Sequence, residues 1–583
     1  MGEFVGIDPS RAEQLIREME GGKDVLGRTR HGLEAAIAEA GASWTGPPGV
    51  AAMHQSWAFF DDTQRDLKWR MDTLKQMVPT SGNGLLTVFL PFDSEAEAAR
   101  QGKADARPIT EALKRHEIEN SVETWRKVTA ATAATKEKLK DPTYAAALLT
   151  ALGPDTFRAL FMHWMKDKGP AMDRGIPVGL LQQGRETLGP LAEAYANAER
   201  AGRLGAEWRG KFLESTQPGV LTALIAMSKP SDRLLNQVAS RVLGRPLAAD
   251  FPTSPNWNLH ALVEAYDANP QALQTWLADN KDAAGWLLHP QRARLSGVAE
   301  AKLAGALDKA LNPSAGTADV RDRAWFNIIR GVGAENSPWV GGSWGVIDDS
   351  PISETLAKNV APYLDQLARG QSKRDSPELE VAFPASPWDT LAPDDASRFM
   401  GGLMQDKDAA KILMKASQDY TLSLDIGRFR PFGDEAIQDQ YTYRAALAGG
   451  AANLMLAGST YAEWTDDEYA DWLATVALLP VAWLSNKYWP IQDANVATAR
   501  DAGMDEAKDG LKGAITDYFD KKTPATAEDV AKRIVERQAE WVNSSLNEHG
   551  QKPLTEAQQN EVRMAFRGRV YDALVKALEQ RGG

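Results

Sequence analysis

Residues 50–78 read VAAMHQSWAFFDDTQRDLKWRMDTLKQMV, and along them Met53, Trp57, Phe60, Gln64, Leu67, Met71, Leu74 and Val78 fall at alternating steps of four and three. That alternation holds one stripe of side chains on one side of a helix, the seam along which two helices pack. A strand would need a period of two instead. Working outward, Asp8-Pro9 supplies an N-cap acid and then Pro at the first helical position. Leu15, Met19, Gly22, Leu26, Leu33, Ile37 and Ala40 follow at steps of three and four, with one double step of seven from Leu26 to Leu33. Gly21 and Gly22 weaken the middle of this helix by about 1 kcal/mol each relative to Ala. Between the two seams, residues 41–49 (GASWTGPPG) break the helix with Gly and Pro. Two seams of matched length about a short break predict an antiparallel helical hairpin over residues 1–80.

Trp44-Thr45-Gly46 lies in that break. The N-terminal 80 residues thereby resemble the WXG family of type VII secretion in Gram-positive bacteria, in which a Trp-x-Gly turn joins two long helices. The letters alone carry little, because they recur at Trp208-Arg-Gly210 and Trp339-Val-Gly341. Their position between two seams carries the likeness. It implies a turn built on Trp44 and Gly46, and a four-helix bundle made with a partner hairpin of the same type or with a second copy of this chain. It also implies contact with the type VII machinery, a cytoplasmic location before export, and secretion without a cleaved signal peptide. The family's export signal, Tyr-x-x-x-Asp/Glu, has no match between residues 78 and 110. Tyr195-Ala-Asn-Ala-Glu199 has the letters far downstream.

The rest of the chain repeats one pattern, a breaker followed by Pro at a helix start, as at Asp141-Pro142, Gly153-Pro154, Gly189-Pro190 and Asn269-Pro270. Period-two runs are nearly absent, so the expected fold is all-α: the hairpin plus a large multi-helix body. At roughly 100–200 residues per domain, 583 residues allow several domains. The expected divisions are the hairpin (1–80), a linker and long helix packing on it (81–140), a multi-helix body (141–430) and a C-terminal helical domain (431–583). In the second, Leu113, Ile118, Val122, Trp125 and Val128 mark one side of a helix over 108–140. The last division ends in helices at 523–546 and 554–579.

Chemistry is harder to find. A net charge of −13 argues against a nucleic-acid binder, which needs a basic face. With no cysteine there is no disulfide, thiolate metal site or thiol nucleophile. The seven histidines show no i, i+3 or i, i+4 pair, and no phosphate-binding Gly loop appears. Gly341-Gly-Ser-Trp-Gly345 has the letters of a nucleophile elbow, yet lacks the flanking strand and helix that motif requires. Thr465-Asp-Asp-Glu468 reads as a capping box rather than a metal cluster. The 18 tryptophans read as helix-packing anchors, with a carbohydrate-stacking surface as the alternative. Residues 445–462 carry no charge but are too small and polar to span a bilayer, so a buried hairpin is expected there and no membrane contact. These readings predict a non-enzymatic WXG-like secretion substrate or export-linked interaction protein, with no cofactor and no metal. Alternatives are a toxin-like effector with a membrane-active C-terminal domain and a scaffold subunit of an assembly.

Overall fold

The computed structural model describes residues 4–40, 47–77, 86–166, 178–243, 255–280, 284, 285, 287–289, 300–335, 337, 339, 349–375, 387–424, 450–452, 454–459, 464–478, 494–521, 525–534, 536, 555, 556 and 570–582. Over these the chain is all-α. Proline opens helix after helix, as at Pro142, Pro218, Pro255, Pro270, Pro351 and Pro393, because its missing N–H falls where a helix has no use for one. The exceptions among the described residues are two short strands, β1 (Phe4–Ile7) and β2 (Leu86–Phe89). They pair antiparallel, Phe4 opposite Phe89 and Ile7 opposite Leu86. Between them lie α1 (Pro9–Ala40) and α2 (Pro47–Met77).

The chain divides into two compact units, one of residues 1–242 and 248–265, the other of 243–247 and 266–583. This cut falls inside the stretch expected to form one body at 141–430, and the second unit runs across position 430.

In the first unit, α3 (Glu95–Glu119) lies along α5 (Pro142–Lys166), burying Ala98, Gly102, Ala106, Ile109, Leu113 and His116. Gly102 marks the closest approach. A Cβ there would stand 2.5 Å from the Tyr144 carbonyl oxygen and 3.0 Å from the Leu148 nitrogen. The single helix expected over 108–140 is in fact two. Asn120 takes a left-handed conformation (φ 44°), and Ser121 with Thr124 forms a capping box that starts α4 (Val122–Ala133). Ile118 and Val122, placed on the packing side by the single-helix reading, flank this break and stay exposed. α3 also begins earlier than expected, capped by Ser94, and it carries Pro108 inside it.

Asp141 caps α5. Its Oδ1 accepts from the Thr143 and Tyr144 backbone N–H groups at 2.8 and 2.9 Å, and its Oδ2 accepts from Trp69 Nε1 at 3.1 Å and Thr73 Oγ1 at 3.4 Å. Burial pushes its carboxyl above the ordinary aspartate value, against the pull of these donors. Behind α5, whose axis bends at Gly153 (φ 77°), Phe157, Tyr195, Trp208 and Phe212 stack with ring centres 5.3–5.8 Å apart.

The second unit is anchored by Trp276, Trp325 and Trp339, all buried. Trp325 meets Tyr363 and Phe399, and Trp339 donates its indole N–H to the Gly285 carbonyl at 3.0 Å. Thr465 and Glu468 form the expected capping box at the start of a helix over Asp466–Ala477. Every residue described between 450 and 459 is buried except the half-buried Ala457. Among the described residues, no helix is long and apolar enough to cross a membrane.

Glu468 also accepts from Lys407 Nζ at 2.8 Å, which ties the two sides of position 430 together. Those bonds, Lys407 first and then Thr465, hold its carboxyl down at about 2. A carboxyl held below its unfolded value adds stability above that value and loses it as pH falls. The melting difference between the wild type and Glu468→Gln is therefore expected at pH 6, and to fade as pH drops from 4.5 towards about 2. A difference that survives at the acid end would show the bonds do not set it.

Candidate interaction arm

α1 and α2 lie side by side. Gln64 Nε2 donates to the Ile16 carbonyl at 3.3 Å, and Lys23 donates to Asp61 and to Gln64 Oε1 at 3.1 Å. As α1 advances from 16 to 23 its partner in α2 falls from 64 to 61, so the pair is antiparallel. The base of the pair is built into the unit: Trp69, Thr73 and Leu74 are fully buried, Ala12 and Met71 nearly so. Asp141 holds Trp69 and Thr73 there.

Beyond the base the burial stops. Among the described residues, none between 13 and 39 and none between 49 and 68 is buried. Met19, Leu26, Leu33, Ile37, Met53, Phe60 and Leu67 are half-buried, while Trp57 is 39% exposed and Phe59 66%. In a four-helix bundle the remaining flank of each seam is covered by further helices. α3 packs chiefly on α5 and α4, while β2 and the helical turn at Lys138–Lys140 contact α2.

Leu15 requires a correction. It is 44% exposed and stands beside the seam rather than on it. Among the buried and half-buried residues of α1, Ala12, Ile16, Met19, Lys23, Leu26, Arg30, Leu33 and Ile37 form an unbroken four-three alternation, with Glu13, Gly22, Gly27 and Glu34 half-buried beside it. Reading only apolar letters passes over Lys23, which is bonded across to α2, and Arg30, which pairs with Glu34 of its own helix. Lys23 in addition lies over the Trp57 ring, 5.3 Å from its centre. Asp61 is held below the ordinary aspartate value by its hydrogen bond from Lys23 and by Arg65. A polar layer of this kind inside an apolar seam fixes the register of the two helices. Trp44 and Gly46, the residues expected to form the turn, lie outside the described residues, as does Gly341–Gly345.

Gly21 and Gly22 sit in the exposed part of α1 with nothing near the position of a Cβ. Gly21→Ala and Gly22→Ala are each expected to stabilise the arm by about 1 kcal/mol, read by hydrogen exchange of the α1 amides. Slower exchange is the expected result; faster exchange would mean that something packs against those positions.

Tyr195, the only export-type Tyr-x-x-x-acid match noted in the sequence, is buried in the aromatic cluster. Burial pushes its phenol well up. Glu199 accepts from Ser231 and pairs with Arg209. The folded unit therefore does not present these letters at its surface. The histidines, unpaired in sequence, do meet in one place: the rings of His116 and His163 are 5.1 Å apart. Among the described residues, no three His, Asp or Glu side chains are placed to hold a metal. Compared with known proteins, the chain matches no family model, no curated protein and no solved structure.

Proposed function

We propose that the chain is a non-enzymatic helical interaction protein whose arm docks onto a partner hairpin, in the manner of WXG-type substrates of type VII secretion. The observation that carries this reading is the arm itself. It is anchored by buried groups at its base, yet its apolar seam is left half-covered along the rest of its length. A soluble protein gains nothing from an uncovered stripe of Met, Leu, Ile and Phe unless another helix covers it. The polar layer at Lys23 and Asp61 supports the same reading, since it holds the seam in one register for a partner to meet.

On this proposal the protein folds in the cytoplasm, pairs there, and leaves the cell with its partner through the type VII machinery. The partner then carries the export signal that this chain does not present. The test compares culture supernatants of the encoding bacterium with and without the type VII ATPase. Loss of the protein from the supernatant in the ATPase-deficient strain is expected. Retention in the cells of both strains would defeat the export reading while leaving the docking arm to be tested separately. For that, Leu26→Glu with Leu33→Glu is expected to abolish pairing and leave the second unit folded.

A further inference from the structure

Within the second unit, the helices over Lys407–Ser423, Asp466–Ala477 and Ala494–Phe519 surround an open cleft of about 330 Å³. That volume is at the small end of the range for small-molecule sites. Trp464 and Trp472 form its inner wall, edge to face with ring centres 4.8 Å apart, beside Met414 and Ala410. Both tryptophans are more than nine-tenths buried, so their ring faces are not open for a sugar to stack on. Among the described residues both indole N–H groups are buried without an acceptor, as is that of Trp325 elsewhere in the unit.

The rim of the cleft is charged. Lys407, Lys411 and Lys415 stand four apart on one helix, and Lys508 faces them. Glu468 and Asp471 also line the cleft, but each is already matched, Glu468 by Lys407 and Asp471 by Lys508 at 3.0 Å and by Lys512. Lys411 and Lys415 pair instead with Asp408 and Asp419 of their own helix, acids that do not line the cleft. Such exposed pairs along a helix are worth roughly 0–1 kcal/mol, so either lysine can turn to a ligand at little cost. The lining thus offers two cations in excess, in a chain that is acidic overall.

We propose that this cleft binds a small organic carboxylate with an apolar body. The body lies against Met414, Ala410 and the exposed edges of Trp464 and Trp472, and the carboxylate faces Lys411 and Lys415. This inference is independent of the docking arm.

The experiment is calorimetric titration of the full chain with 2-naphthylacetate, and with 2-(2-naphthyl)ethanol as the uncharged analogue. Saturable binding of the acid is expected, with the alcohol about tenfold weaker or worse. Lys411→Gln with Lys415→Gln changes only surface residues; it should weaken the acid and remove most of the salt dependence of its binding. No saturation by the acid, equal binding of acid and alcohol, or wild-type affinity in the lysine variant would each overturn the proposal.

Discussion

Trp69→Ala is expected to destabilise the first unit by about 3–5 kcal/mol, the usual cost of emptying a fully buried tryptophan site. The same change frees the arm, because Trp69 is both the largest buried side chain of α2 and a donor to Asp141. Asp141→Ala should cost about 3 kcal/mol, a lost helix cap together with donors left unpaired in the interior. The two losses share one hydrogen bond. The double variant is therefore expected to lose about 1–2 kcal/mol less than their sum. Urea unfolding followed by hydrogen exchange of the α2 and α5 amides reads all three variants. Strictly additive losses would mean that the indole–carboxylate contact contributes nothing. Asp141→Asn adds a check on sign. With the carboxyl raised by burial, the folded unit binds the proton more tightly than the unfolded chain does. Stability then falls as pH rises from 3.8 through the raised value, a slope that Asn, having no proton to lose, removes.

Gly102→Ala should cost about 1–3 kcal/mol, opposite in sign to the glycine changes in the arm. The added methyl meets backbone at 2.5 Å, and a backbone carbonyl inside α5 has no rotamer to escape through. Relief requires moving α3 away from α5, which are packed against each other along much of their length. A drop in the unfolding midpoint is the expected result. An unchanged midpoint would mean that the two helices slide apart freely, which the burial of Ala98, Ala106 and Ile109 beside Gly102 argues against.

Much of the secondary structure was legible because its signals are local. Asp8-Pro9, Asp141-Pro142 and Thr465 through Glu468 start helices where their letters predict them. The α2 seam was legible too, since nearly all its members are apolar. What escaped depends on context. Lys23 lies on the α1 seam because Asp61, Gln64 and Trp57 receive it, and no spacing rule within α1 reports that. Asn120 ends α3 through a left-handed conformation that Asn tolerates but does not require. The cleft between Lys411 and Trp472 joins residues about sixty positions apart, each of which reads on its own as an ordinary helix-surface cation or packing anchor.

The pairing of β1 with β2 has a consequence for how the arm folds. Phe4 and Phe89 are 85 positions apart, and closing so long a loop from an open chain is entropically costly and slow. Once α1 and α2 have zipped together through near-neighbour contacts, the start of α1 and the end of α2 lie at the same end of the pair, and the two strands have only a short gap to cross. The ribbon is thus expected to form late, contributing little to the folding rate and mainly slowing the reverse reaction. On this expectation it acts as a latch on a structure already assembled and holds the arm closed at its base.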